Sequence, residues 1–168
     1  MLEDIFKGVK AVNRRAAGRA AVAAAMLFAG AGTASAADAF NALKGSWSGG
    51  GSASFAGGQS EKLRCTARYS GGGSNLGLSI RCASASAQIN LTGNLDANGN
   101  KVSGDWAENS FGLSGGAYGS TSGGSVRLKI NGDASGYMTL NVSGNRHTVA
   151  VSAQGTSLTG VNISLGRR

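Results

Sequence analysis

Two cysteines, one histidine and a handful of charged residues are the groups in this 168-residue chain that could do chemistry. Cys65 and Cys82 lie in two alternating runs on either side of Gly71-Gly72-Gly73. Leu63, Cys65, Ala67 and Tyr69 share one face of the first run, and Leu76, Leu78, Ile80 and Cys82 share one face of the second. Strand side chains alternate with period two, so both rows read as the inner faces of neighbouring antiparallel strands. Setting Cys65 opposite Cys82 puts Ala67 opposite Ile80 and Tyr69 opposite Leu78. A single register then serves both the apolar pattern and a disulfide.

His147, the only histidine, sits in the polar stretch Asn145-Arg146-His147 and reads as a solvated turn residue. Without a partner of its kind it completes no metal site with the cysteines, and no nucleophile motif lies near it. No cofactor or metal is expected. Asp105 and Glu108, flanking Trp106, are the one close acidic pair outside the first 36 residues. A glycosidase would need two carboxylates facing each other across a cleft, and no cleft is legible here. Gly71-Gly72-Gly73 and Gly115-Gly116 lack the Lys-Ser/Thr ending of a phosphate loop and read as turns. The chain is therefore read as a non-enzyme.

The basic residues carry more. Lys62, Arg64, Arg68 and Arg81 fall on the row opposite the cysteines and project outward. In the register above Arg81 faces Thr66, diagonal to Arg64 and Arg68, which brings three guanidiniums within about 7–8 Å of one another. Such a face attracts anionic envelope components, lipid head groups or acidic polysaccharide; the plainer reading is a solvated face that aids solubility and blocks edge pairing. Arg127 and Lys129 form a second outward pair. Nucleic acid is not expected as a partner, because the first row has no exposed aromatics interleaved for base stacking.

These groups need elements to hold them. Lys7, Lys10, Arg14, Arg15 and Arg19 precede the apolar stretch at residues 20–31, and Ala34-Ser35-Ala36 follows. That order predicts a secretory signal peptide over residues 1–36, too short in its apolar part to span a membrane. Arg14-Arg15 leaves both the general and the twin-arginine export routes open. Cleavage before Ala37 removes five of the 16 basic and two of the eight acidic residues, leaving 11 against 6 and a net charge of +5. The mature protein is then periplasmic or secreted, an oxidising setting in which the two cysteines are most economically one disulfide.

Glycine, 29 of 168 residues, is more than twice its usual share of ~7%. With Val, Ile and Leu alternating between the glycines, it marks tight turns and bulges. Short strands recur about every ten residues from Trp47 to Leu165, with no helical pattern after the leader. Gly49-Gly50-Gly51 is expected to bend or interrupt the first of them. Residues 37–168 are thus expected to form a single all-β domain, an antiparallel up-and-down barrel of about 8–10 strands, with a β-sandwich as the alternative. The inward rows suffice to fill a small barrel, with Ala67, Gly93 and Gly104 leaving room for a modest pocket.

Gly45-Ser46-Trp47 at the head of the first strand resembles the Gly-x-Trp opening of calycin-type barrels, the lipocalins, avidins and bacterial alkaline-protease inhibitors. The resemblance implies a tryptophan plugging one barrel end, stacked on a basic residue of the last strand. Arg167 or Arg168 would take that part, unless both form a frayed tail. Gly104-Asp105-Trp106-Ala107-Glu108 repeats the element and is similar to small exported bacterial proteins of unknown function; Trp47 and Trp106 are accordingly expected at barrel ends. Likeness to the protease-inhibitor branch implies an alternative to the basic face: residues 37–44 entering a protease cleft.

Overall fold

The computed structural model describes residues 36–168. The expected leader lies outside the described residues apart from Ala36. After helix α1 (Ala36–Leu43) come ten strands: β1 (Gly45–Phe55), β2 (Ser60–Gly72), β3 (Asn75–Ala83), β4 (Gln88–Asn98), β5 (Lys101–Glu108), β6 (Leu113–Ser122), β7 (Ser125–Gly132), β8 (Ser135–Ser143), β9 (Arg146–Gln154) and β10 (Leu158–Arg167). Each strand pairs antiparallel with the next in sequence, and β1 pairs with β10 to close the ring. The sheet closes on itself, so the two-sheet alternative does not occur. Closure leaves no strand edge exposed. No described helix is long and apolar enough to cross a membrane.

The β2–β3 register is the one the sequence dictates. Cys65 faces Cys82, Ala67 faces Ile80, Tyr69 faces Leu78 and Thr66 faces Arg81. The two cysteines form a disulfide on the buried side. Around the ring the same alternation turns Leu95, Val102, Ala117, Leu128, Leu140, Val149 and Ile163 inward to one core.

Two expectations about the first residues of the domain are corrected. Gly49-Gly50-Gly51 does not break the strand, because β1 runs unbroken to Phe55 between β10 and β2. A Cβ on Gly51 would stand 1.9 Å from the carbonyl oxygen of Asn162; glycine is what lets the neighbouring backbone approach. The second correction is α1. Ala36, Ala39, Phe40 and Leu43 recur at the helical spacing and all four are buried, while Asp38 in the first turn suits the positive end of the helix dipole.

Helix α1 lies at the end of the barrel where Trp47, Tyr69, Leu76, Val126, Leu140, His147 and Leu165 converge. Three carbonyls at and just past its C-terminus accept from side chains of β1 and β10. Trp47 Nε1 donates to Leu43 O at 2.7 Å, Arg167 Nη2 to Ala42 O at 2.7 Å, and Arg167 Nη1 to Lys44 O at 2.7 Å. The Arg167 guanidinium also lies 4.3 Å from the centre of the Trp47 ring. One arginine therefore caps the helix and covers the tryptophan together. Gly45 stands beside this contact with φ of +114°, and a Cβ there would come within 3.1 Å of Arg167 Nη1. The Gly-x-Trp spacing has its physical reason in that close approach.

Candidate functional site

The outward side of β1–β3 gathers the basic residues. Ser46, Ser48 and Gly50 of β1 lie beside Arg68, Thr66 and Arg64 of β2. On the other flank Thr66 faces Arg81 and Arg68 faces Ser79. The small residues of β1 leave low ground between the β2–β3 arginines and Arg168, whose amide donates to Ser46 O at 2.9 Å. Two adjoining shallow grooves result, and both are lined by Thr66, Arg81 and Arg168. Arg64 and Ser48 add to one, Arg68, Ser46 and Ser79 to the other. Lys62 is exposed opposite Ser52 and lines neither.

The electrostatics of this face are one-sided. Among the described residues no aspartate or glutamate lines either groove. Glu61, the carboxylate nearest in sequence, is engaged at the β3–β4 loop, where the hydroxyls of Ser84 and Ser86 hold its carboxyl below the usual range. Guanidinium groups present several N–H donors in a planar fork, and serine and threonine hydroxyls add single donors. Four arginines above a floor of Ser46, Ser48 and Thr66 can bind an oxyanion or an array of them. Sequence reasoning placed Arg64, Arg68 and Arg81 here but gave Arg168 only as an alternative to Arg167 for covering Trp47 or as part of a frayed tail; its place beside Ser46 follows from the pairing of the last strand with the first.

The other candidate residues fall elsewhere. Correcting the expectation of a solvated turn, His147 has no exposed surface. It is the first inward residue of β9, in register with Leu165 and Val142. Its Nε2 lies 2.6 Å from Tyr69 Oη and its Nδ1 2.9 Å from Asn141 O. A carbonyl can only accept, so Nδ1 carries the proton and Nε2 accepts from the Tyr69 hydroxyl. The imidazole is neutral, and burial lowers its pKa while raising that of Tyr69. Both groups are satisfied by one another, deep beneath the Trp47 ring.

Asp105 and Glu108 do not face one another. Asp105 is exposed on the outer wall, whereas Glu108 turns inward and is buried. The two Glu108 oxygens accept from the amides of Asn90 at 2.5 Å and Phe111 at 2.7 Å. Trp106 is half-buried at the end opposite α1, its Nε1 donating to Gly116 O and Asn131 O. The two Gly-x-Trp elements therefore serve opposite ends of the barrel.

Inside that second end lies a cavity of about 110 Å³, lined mainly by apolar side chains including Ile80, Leu91, Trp106, Met138, Val151 and Leu158. Eight strands give an interior that side chains just fill, and ten give a wider one. Ala67, Gly93 and Gly104 do not line the cavity; Ala117, Ala134 and Ala153 do. Its volume is below the several hundred Å³ of an ordinary ligand pocket.

No family model and no curated protein sequence matches the chain. Among solved structures it is similar to the crystal structure of Rv2717c from M. tuberculosis, with a TM-score of 0.60 and 15% sequence identity. The match covers 77% of this chain and 95% of that one. The likeness is one of fold. Both chains share the small β-barrel, and nothing about ligands follows from it.

Proposed function

We propose that this protein is an exported, calycin-like, non-enzymatic barrel, periplasmic or secreted, that binds a polyanion of the cell envelope on the outer wall of β1–β3. The observation that carries this reading is the pair of grooves walled by Arg64, Arg68, Arg81 and Arg168 with no carboxylate among their described lining residues. Repeated phosphate, sulfate or carboxylate groups supply the matching charge, either from lipid head groups or from an acidic polysaccharide. The calycin resemblance draws support from Arg167 of the last strand lying over Trp47.

The competing protease-inhibitor reading needs residues 37–44 to extend into a cleft. Phe40 and Leu43 are instead fully buried against the barrel, and freeing them would expose that apolar end to water. The division of Asp105 and Glu108 between the two sides of β5 supports the non-enzymatic reading.

Binding to vesicles containing phosphatidylglycerol, and separately to a heparin column, tests the proposal. Retention by either polyanion is expected to fall with rising salt, since screening weakens exposed charges. The triple substitution Arg64→Glu, Arg68→Glu, Arg81→Glu is expected to abolish it. Vesicles alone retaining the protein would identify a lipid surface, and heparin alone a polysaccharide. Equal retention of wild type and triple variant would defeat the reading.

A further inference from the structure

The wall five strands around the ring from β2 is built differently. Tyr118 of β6, Lys129 of β7 and Tyr137 of β8 stand directly opposite one another in a single outward row. The tyrosines are 46% and 62% exposed, two of the three large apolar side chains left to solvent among the described residues. Lys129 Nζ lies 5.9 Å from the centre of the Tyr118 ring, so the cation and the ring hold one another upright. Two steps across paired strands set the rings about 10 Å apart. Beyond Tyr118 the row continues to Ser103, into a shallow groove lined by Asp96, Asn98, Lys101 and Ser103 as well as Tyr118.

We infer that this row is a second binding site, for an extended polysaccharide chain. Pyranose rings carry a face of C–H groups that packs on an aromatic ring and an edge of hydroxyls that needs donors and acceptors. Tyr118 and Tyr137 supply the two stacking platforms, at a spacing that suits alternate sugars of an extended β-linked chain. The groove beyond Tyr118 supplies the polar partners, with Asp96 accepting from hydroxyls and Asn98, Ser103 and Lys101 donating. The Asp96 carboxylate, in a hydrogen bond with Asn75 Nδ2, separates this site from one for nucleic acid. It would repel a phosphate backbone in the same groove. The site goes beyond the β1–β3 face and shares no residue with it.

Affinity electrophoresis of the full chain in native gels cast with hydroxyethylcellulose, a soluble β-1,4-glucan, tests this site alone. The wild type is expected to be retarded. Tyr118→Ala and Tyr137→Ala should each weaken retardation about tenfold, the loss of one stacked ring, and Tyr118→Phe should preserve it. The triple arginine variant has its own mobility because its charge differs by six, but its retardation by the glucan, taken against a gel without it, should equal that of the wild type, which keeps the two sites distinguishable. Both tyrosines are exposed, so their replacement leaves the core intact, and an unchanged thermal melt checks that. No retardation of the wild type, or retardation indifferent to both alanine variants, overturns the inference. So does tyrosine-dependent binding of an oligo-dT strand without any response to the glucan.

Discussion

The Tyr69 hydroxyl donates to Nε2 of a fully buried His147, at 2.6 Å. A second ring proton would force the hydroxyl to accept instead and turn its own proton into the apolar core, away from its one described partner. Burial lowers the His147 pKa from 6.5, so between pH 6.5 and that lower value the unfolded chain binds a proton that the native chain does not. Stability must then fall as pH drops below 6.5, by at most about 1.4 kcal/mol per pH unit. Glu61, whose pKa is lowered from 4.5, contributes stability that is lost only below that value, so the two effects separate. Urea titrations at pH 7.5, 6.0 and 5.0 should show the fall, and His147→Gln should flatten it. The alkaline side mirrors this. The raised Tyr69 pKa means the unfolded chain gives up a proton first, so stability declines above pH 10, and Tyr69→Phe removes that decline. Tyr69→Phe also leaves Nε2 without a donor, a cost of about 1–3 kcal/mol at pH 7.

Arg167 joins α1 to the barrel through two carbonyls and the face of Trp47. Charge-assisted hydrogen bonds are stronger than neutral ones, though partial exposure reduces their worth here. Arg167→Ala should cost about 1–3 kcal/mol, read as a lower urea midpoint with an unchanged slope. Lysine keeps the charge but cannot span both carbonyls while lying flat on an indole, so Arg167→Lys should recover less than half. Gly45→Ala should damage the same joint from the other side, by about 1–2 kcal/mol, since φ of +114° suits glycine alone.

Where the sequence alternates cleanly, its fold was legible to the residue. Leu63 to Tyr69 and Leu76 to Cys82 permit only one inward register, and the cysteines fix it. Between Ser48 and Ser52 of β1 every position is Ser or Gly, so no side chain records the alternation there, and a continuous strand reads as a broken one. His147 was hidden by its polar neighbours Asn145 and Arg146. Its parity with Val149 and Val151 was the available signal, because all three point inward along β9. Helix α1 is only eight residues long, too short for periodicity to stand out beside a leader of similar composition. The arginine face was readable within β2 and β3. Its fourth member was not, because Arg168 reaches it through a pairing between the two ends of the chain, and such long-range contacts leave no local trace.

The disulfide closes a loop of 17 residues between two strands that already pair. Constraining the unfolded chain in this way is worth about 3 kcal/mol. Cys65→Ala with Cys82→Ala should lower the unfolding free energy by that amount in oxidising buffer, and reduction of the wild type in denaturant should match it. The oxidised protein holds no free thiol to label, and because both sulfurs face the core, the reduced and still folded protein should take up thiol reagents only when denaturant is added. If reduced, folded material takes up label without denaturant, the inward assignment of the two cysteines fails, and with it the outward placement of Arg64 and Arg81.

Glu108 binds the amides of Asn90 and Phe111 with separate oxygens and so ties the β5–β6 loop to β4 at the barrel end away from α1. Phe111, 57% exposed, rides on that loop. Glu108→Gln replaces one acceptor by a donor that must face an amide N–H, so one of the two ties is lost and a like-signed contact takes its place. A loss of about 1.5–3 kcal/mol is expected, the worth of a hydrogen bond to a charged group. The same substitution should speed amide exchange at Phe111, and at Asn90 if the amide flips toward β4, while exchange at Cys65 and Cys82 stays at the wild-type rate. Exchange that rises equally in all ten strands would show instead that Glu108 supports the whole barrel and not one loop.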